Sequence, residues 1–326
     1  MLFGLRFDFR NPPLAGTSMA DRYAAALDMA EWADGLGCVS IGVAEHHGSA
    51  DGYLPSPAVM LGAMAARTKQ SPLGIGALIA PFHDPLRIAE DLCVLDHLSR
   101  GRLNLIIGAG YAPHEFEMFD VEMRERPKRV VELVTTLRNA FTGEPFEYRG
   151  RTVQITPPPF QPGGPKISLG GASEGAARRA ARIGDGFVPS TGDVWDFYAD
   201  ECVKLGKDHP GDWPGGDTRV VVIAKDPERQ WERQGAFFLH ETNAYGEWQA
   251  QTDNLSTGFT TVSDVDTLRA TGQYRILTPD EFIGEMQSLP FPFVMFHPLV
   301  GGTPPDMAWE SLKLFEDEVL PAFRAP

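Results

Sequence analysis

The stretch over residues 74–111 constrains this chain more than any other. It opens with an apolar run, GIGALI, at 74–79, then passes through the polar turn His83-Asp84-Pro85 into a helix-spaced segment. A second apolar run, RLNLII, follows at 102–107. In the middle segment Leu86, Ala89, Leu92 and Asp96 share one helical spacing, and Leu92, Leu95 and Leu98 give a second, fully apolar stripe. Ser99-Arg100-Gly101 supplies the stop, because glycine takes a left-handed backbone at least cost. Apolar runs without alternation are expected of strands covered on both faces, as in a parallel sheet. The unit therefore reads as strand–helix–strand. Gly108-Ala109-Gly110 at the second strand's end leaves room for a ligand to approach the backbone.

The alternation continues along the whole chain. Strands are expected at 2–8, 39–44, 73–79, 102–107, 166–169, 186–189, 219–223 and 292–297, with helices between them. Thr17-Ser18 can cap a helix that reaches Leu36, with Leu27, Ala30 and Ala33 facing inward. Val130, Leu133, Val134, Leu137 and Phe141 keep clear helical spacing, and residues 146–155 read as a hairpin around Arg149-Gly150. Thr278-Pro279-Asp280-Glu281 combines a cap, an early proline and an acid three residues on, which predicts a helix start. Residues 224–289 are far longer than a usual connection, with a helix expected near 227–242. Eight strands alternating with helices predict an α/β chain, a (β/α)8 TIM barrel in one domain over 1–326, with a long insertion between strands 7 and 8. An open doubly wound sheet is the competing arrangement. Part of 243–275 is polar, glycine-bearing and weakly periodic, and is expected to form a mobile lid over the strand ends.

Charge narrows the partners. Forty-four acids against 29 bases give a net charge of −15, which argues against nucleic acid or anionic membrane as a general partner. Arg6 and Asp8 interrupt the first apolar run, so it reads as a strand rather than a secretion signal, and no run approaches a membrane span. A cytoplasmic protein is expected. Cys38, Cys93 and Cys202 lie in apolar patterns with no CxxC, and are expected to be buried free thiols. The small-residue helix around Ala58, Ala63, Ala65 and Ala66 suits close packing, either in the core or in an interface.

The predicted strand ends gather polar residues. His46 and His47 follow strand 2, His83 follows strand 3, Tyr111 follows strand 4 and His297 ends strand 8. A barrel places its site at these ends. Adjacent residues on an extended chain point to opposite sides, so His46 and His47 make a poor chelating pair and no metal site is expected. One of them suits proton transfer or a hydrogen bond to a cofactor ring. Gly170-Gly171-Ala172-Ser173 joins a strand to a helix. It reads equally as a tight turn with a cap or as a phosphate site of free backbone N–H groups.

Four segments carry a family resemblance: AEHHG at 44–48, PFHDPLRIAEDLCVLDHLSRGRLNLIIGAGY at 81–111, GGAS at 170–173 and PLVGGTPPDMAWESLKLFEDEVLP at 298–321. Together they resemble the bacterial-luciferase-like flavin-dependent oxidoreductases across nearly the whole chain, least over 224–289. The resemblance implies that His46 is the catalytic histidine and that His47 belongs to the same pattern. It implies that Gly170, Gly171, Ala172 and Ser173 hold a cofactor phosphate. Gly76, Ala77, Gly108, Ala109 and Gly110 would pass beneath a flat ring, and His83, Tyr111 and His297 would line a substrate pocket. The family often carries a non-proline cis peptide in strand 3, so Gly76–Ala77 is expected to be cis and bulged. Luciferases proper have an arginine about where Ala109 stands; Arg129 is either its replacement or a solvated surface arginine. The implied activity is a two-component monooxygenase, with reduced FMN delivered by a separate NAD(P)H-dependent flavin reductase and used with oxygen on a small organic substrate. The first alternative is hydride transfer with the deazaflavin coenzyme F-420. The second is a metal-dependent barrel hydrolase, which needs a cluster of His, Asp and Glu at ligand spacing that the sequence does not show. The third is a non-catalytic flavin-binding protein. A homodimer or higher homo-oligomer is expected.

Overall fold

The computed structural model describes residues 1–213, 215, 219–252 and 258–323. Its strands are β1 (Leu2–Phe7), β2 (Ser40–Val43), β3 (Leu73–Ile79), β4 (Leu103–Gly108), β5 (Phe146–Tyr148), β6 (Arg151–Val153), β7 (Lys166–Gly171), β8 (Gly186–Pro189), β9 (Val220–Ile223), β10 (Tyr274–Leu277) and β11 (Phe293–Phe296). Its helices are α1 (Met19–Gly35), α2 (Pro57–Arg67), α3 (Pro85–Ser99), α4 (Pro113–Met118), α5 (Arg126–Ala140), α6 (Glu174–Ile183), α7 (Trp195–Lys204), α8 (Pro227–Ala250), α9 (Val265–Ala270), α10 (Pro279–Ser288) and α11 (Pro305–Leu314). Seven parallel strands form one curled sheet in the order β11-β1-β2-β3-β4-β7-β8. A parallel pair, β9 and β10, forms a second sheet, with β9 lying against β11. β5 and β6 are the expected hairpin. Each of the eight strands read from the sequence is present, and β10 is an addition inside the long insertion at 224–289.

Helix starts follow the sequence chemistry. The Ser18 hydroxyl accepts from the Asp21 N–H, Asp84 from the Leu86 and Arg87 N–H groups, and Ser173 from the Ala176 N–H. Thr278 and Glu281 form the reciprocal capping box. The end of α3 differs from expectation: Arg100 as well as Gly101 takes a left-handed backbone. The α3 stripe also differs. Leu98 is exposed, whereas Asp96 is fully buried and accepts from the backbone and side-chain N–H groups of Gln161. α8 runs eight residues beyond the expected Thr242. Residues 243–275 thus hold the end of α8, all of α9 and the start of β10; 253–257 lie outside the described residues. All three cysteines are buried and free. No helix among the described residues is long and apolar enough to cross a membrane.

Burial of the strands corrects one expectation in a way that makes the site. Leu5, Phe7, Ile41, Val43, Ile75, Leu105, Ile107, Ile167 and Leu169 join the helices in one continuous core. Side chains alternate along a strand, so Gly4, Arg6, Gly42, Gly74, Gly76, Ile106, Gly170 and Val188 face the other side. That inner face is mostly glycine. These strands are therefore packed on one face only, and the concave face is left hollow. β9 alone among the described strands is buried at every position, Val221 and Ile223 in the main core and Val220 and Val222 in a second one. A second, smaller core of Val220, Val222, Trp231, Phe238, Leu268, Tyr274 and Ile276 fastens α8 and α9 onto the β9–β10 pair.

Candidate active site

The hollow opens at the C-terminal ends of the strands as a cavity of about 1010 Å³, large enough for a flavin-sized ligand with a small molecule beside it. Arg6, Ala44, His46, Gly76, Ala77, Ile106, Gly108, Ala109, Gly110, Tyr111 and the run Gly170, Gly171, Ala172 and Ser173 line it. Gly76–Ala77 is cis, and the β3–β4 register slips between Gly76 and Leu78, which is the expected bulge.

His46 enters from the turn after β2. Its Nδ1 lies 2.8 Å from Oε1 of Glu115 on α4, and the same oxygen accepts the His47 backbone N–H at 2.7 Å. With Glu115 ionised, Nδ1 carries the proton and donates, and Nε2 is left as an acceptor. Trp248 and Tyr53 close around the ring at 4.7 and 4.8 Å. Behind them the Arg10 guanidinium lies within 5 Å of the rings of Tyr53, Tyr245 and Trp248, anchored by Asp51, which His240 also holds. The Tyr53 and Tyr245 hydroxyls meet at 3.0 Å. Burial, followed by the Tyr245 and Glu115 charges, pushes the Tyr111 phenol well above its ordinary range, so it stays a neutral donor.

His47 does not line the cavity. As adjacent extended residues must, it points away from His46, and its Nε2 lies 2.7 Å from Oε1 of Glu45. His83 reaches the same oxygen at 2.8 Å, while the Ile79 N–H donates to the other. Burial works to raise the Glu45 pKa, but these bonds more than offset it and hold the carboxyl below its usual range. Glu45 thus ties the ends of β2 and β3 together, and His83 is a clamp rather than a pocket wall. His297 is displaced too. It is buried beneath α8, between Asp8 at 3.6 Å and Glu241 at 3.5 Å, because Gly301 lets the following turn press against Phe237. Asp8, Glu241 and His297 bring three ligand-type atoms within 4.8 Å of one another, a cluster that the sequence spacing concealed.

At the opposite end of the cavity Ser173 caps α6, and Gly171 lies so close to Ala176 that no Cβ fits. Arg126 and Arg179 line this end with Pro127 and Ser190. Burial lowers the pKa of both guanidinium groups, helped at Arg179 by the nearby Arg182 charge. Arg126 donates to the Gly110 and Met123 carbonyls, whereas Arg179 has no hydrogen bond to the described protein. Arg129 lies one turn further along α5, ion-paired with Glu125, and does not reach the cavity. Glu174 is held by Arg178 and so is occupied along the helix surface. The arginine of this helix that lines the cavity is Arg126, one turn before the Arg129 expected from the sequence. Arg6, Tyr53, Glu115 and Arg179 carried no local signal, whereas Tyr245 and Trp248 belong to the aromatic part of residues 224–289.

Residues 1–276 match the luciferase-like monooxygenases. The chain belongs to that family. Among its relatives, 4-hydroxyprotoasukamycin monooxygenase of Streptomyces nodosus subsp. asukaensis is 32% identical over 40% of this chain and 38% of its own. Limonene 1,2-monooxygenase of Rhodococcus erythropolis is 25% identical over 74% of this chain and 64% of its own. The F420-dependent glucose-6-phosphate dehydrogenase of Segniliparus rotundus is 32% identical over 54% and 56%. The chain thus spans less than two thirds of each of these luciferase-like relatives. Among solved structures, the monooxygenase RslO1 from Streptomyces bottropensis superposes with a TM-score of 0.76 and 25% identity, covering 99% of this chain and 100% of that one. The oxygenating constituent of 3,6-diketocamphane monooxygenase from Pseudomonas putida, in complex with FMN, has the same fold, with a TM-score of 0.73 and 20% identity over 100% and 99% of the chains.

Proposed function

We propose that this protein is the oxygenase component of a two-component FMN-dependent monooxygenase acting on a small organic substrate. Its arrangement is a single (β/α)8 barrel with 224–289 inserted between the last two barrel strands, part of that insertion serving as a lid. A separate NAD(P)H-dependent reductase supplies the reduced flavin, and the protein works in the cytoplasm as a homodimer. The observation that carries this reading is the two-ended cavity. One end pairs an unpartnered arginine with a capped helix start and the Gly171 cradle; the other holds an oriented histidine among aromatic rings.

The residues present fit FMN. Gly170 to Ser173, Arg126 and Arg179 would hold its phosphate; Gly76, Gly108 and Gly110 present backbone without side chains to a flat ring, and Ala77 adds only a methyl group. When bound, the reduced flavin supplies the oxygen chemistry. His46, aimed by Glu115, takes or gives a proton through Nε2. Tyr53, Tyr111, Tyr245 and Trp248 exclude water around it, and Arg10 fixes three of those rings from behind.

A second reading, deazaflavin chemistry, draws on a shallow groove of about 720 Å³ lined by Pro127, Lys128, Val131, Glu132, Arg149 and Arg179. It shares Pro127 and Arg179 with the main cavity and would suit a longer anionic tail. Anaerobic titration with reduced FMN and with reduced F-420, each followed by mixing with oxygen, tests both. The monooxygenase reading expects tight FMN binding, weakened about 10- to 100-fold by Arg179→Ala through loss of a charged hydrogen bond. Tight F-420 binding without oxygen uptake would replace it, and binding of neither would end both.

A further inference from the structure

Three arginines lie inside this fold near the first strand, and they differ in one respect. Arg10 donates to Asp51, and Arg22 donates to the carbonyls of Leu299, Gly302 and Thr303. Arg6 makes no hydrogen bond or ion pair with the described protein, yet its side chain is solvent-accessible and lines the cavity. It projects from the hollow face of β1, so its accessible surface is cavity surface. The charges of Glu241 and Asp8 reach Arg6, but neither carboxylate hydrogen-bonds it, because both are turned to other groups. Asp8 accepts the Arg10 backbone N–H and faces His297, and Glu241 accepts the Tyr274 hydroxyl and also faces His297. Five N–H donors therefore point into the cavity without a partner.

The charge distribution sharpens this. The whole chain carries −15, but the cavity wall carries Arg6, Arg126 and Arg179 against one carboxylate, Glu45, whose oxygens already accept from His47, His83 and Ile79. A flavin phosphate accounts for the two arginines beside Ser173. Arg6 is left over among Tyr53, Thr242, Tyr245 and His46, at the substrate end.

We infer that the substrate carries a carboxylate and that the Arg6 guanidinium receives it, with the apolar body of the substrate against Tyr53, Tyr245 and Phe259. This deepens the monooxygenase reading and rests on it for the meaning of the word substrate, although the binding event itself needs no flavin. Arg6 is thereby a specificity-determining residue. It places the anionic end of the molecule in the hollow of the sheet and leaves the other end near His46.

The test is calorimetric titration of the full-length protein with a matched pair, 4-isopropylbenzoate and 4-isopropylbenzamide, which share a body and differ in charge. Wild-type protein and Arg179→Ala should both prefer the acid by about 10- to 100-fold, the worth of a charged hydrogen bond in a partly desolvated site. In Arg6→Met the preference should fall to roughly threefold or less, and Arg6→Lys, which keeps charge but loses the planar fork, should be intermediate. Melting curves check that each variant folds, with Arg6→Gln as the replacement if Arg6→Met does not. No preference in the wild type, or a preference that vanishes with Arg179 and survives loss of Arg6, would overturn the inference. Loss of FMN affinity rather than acid affinity in Arg6→Met would also overturn it. Failure of the wild type to bind FMN, with the acid preference intact, would sink the monooxygenase reading alone.

Discussion

Glu115 offers the sharpest test of how His46 is held. Its Oε1 accepts from both His46 Nδ1 and the His47 N–H, while Oε2 is buried with no hydrogen-bond partner. In Glu115→Gln the amide oxygen can take the place of Oε1, which forces the NH2 group into the unpartnered position. Each retained bond loses its charge assistance, about 1 kcal/mol apiece. The buried, unpaired amide donors cost about 1–3 kcal/mol more. The total is roughly 3–5 kcal/mol. The entropy of unfolding for 326 residues comes to roughly 0.7 kcal/mol/K, so Tm should drop by about 4–7 °C. Differential scanning calorimetry reads the Tm, and imidazole nitrogen NMR reads the tautomer. Wild-type His46 should carry its proton on Nδ1; the variant should show a mixture, because a neutral amide holds that tautomer less firmly. An unchanged Tm with an unchanged tautomer would refute the claim that a Glu115 carboxylate aims His46.

His46→Ala should keep its fold and its FMN affinity while turnover falls by about 10²–10⁴, as measured by oxygen-coupled product formation; a large fall in Tm with little loss of rate would make the residue structural. Gly171→Ala places a methyl group against Ala176, so the first turn of α6 must shift and FMN affinity should fall roughly tenfold in a fluorescence titration. At Asp51, burial alone would raise the pKa, but the bond to His240, the Arg10 charge and the Ser49 hydroxyl more than reverse this and hold the carboxyl well below its ordinary range. A group depressed in the folded state stabilises above its unfolded pKa, near 4, and that contribution drains away as pH falls towards the folded value. Urea unfolding between pH 6 and pH 3 should therefore show stability declining below about pH 4, less steeply in Asp51→Asn, and identical slopes would count against the Asp51 contribution.

Strands and helices were legible because their signals are local. β3 occupies the expected residues, Ser173 caps the helix it was expected to cap, and Thr278 with Glu281 closes its box. His46 was legible because it follows β2 directly. His297 also follows a strand, yet α8 covers that end, and nothing near His297 in sequence announces a helix more than 40 residues earlier. Asp96 and Leu98 show the same limit: which face of α3 is buried depends on Gln161, 65 positions away. β10 carries Arg275 in the middle of its four residues and lies in a stretch without clear periodicity, so it was not separated from its surroundings. Non-alternating apolar runs suggested strands covered on both sides. The missing atoms of Gly42, Gly74 and Gly76 were the better clue, because a glycine-lined face can hold a ligand instead of a core.

Those missing atoms give the sheet an adjustable depth. A methyl group added at Gly42 or Gly74 would find its nearest neighbours at 3.9 Å, ordinary contact distance, on the same face as Arg6 and one step deeper than Ala44 and Gly76. The helix-side packing and the strand hydrogen bonds would be untouched. Single substitutions can therefore raise the floor of the compartment one carbon at a time, shortening the molecules it admits while leaving the flavin end as it is. In such a lineage, changes in what is oxidised would be recorded at half-buried glycines of the first strands rather than in the loops around the mouth.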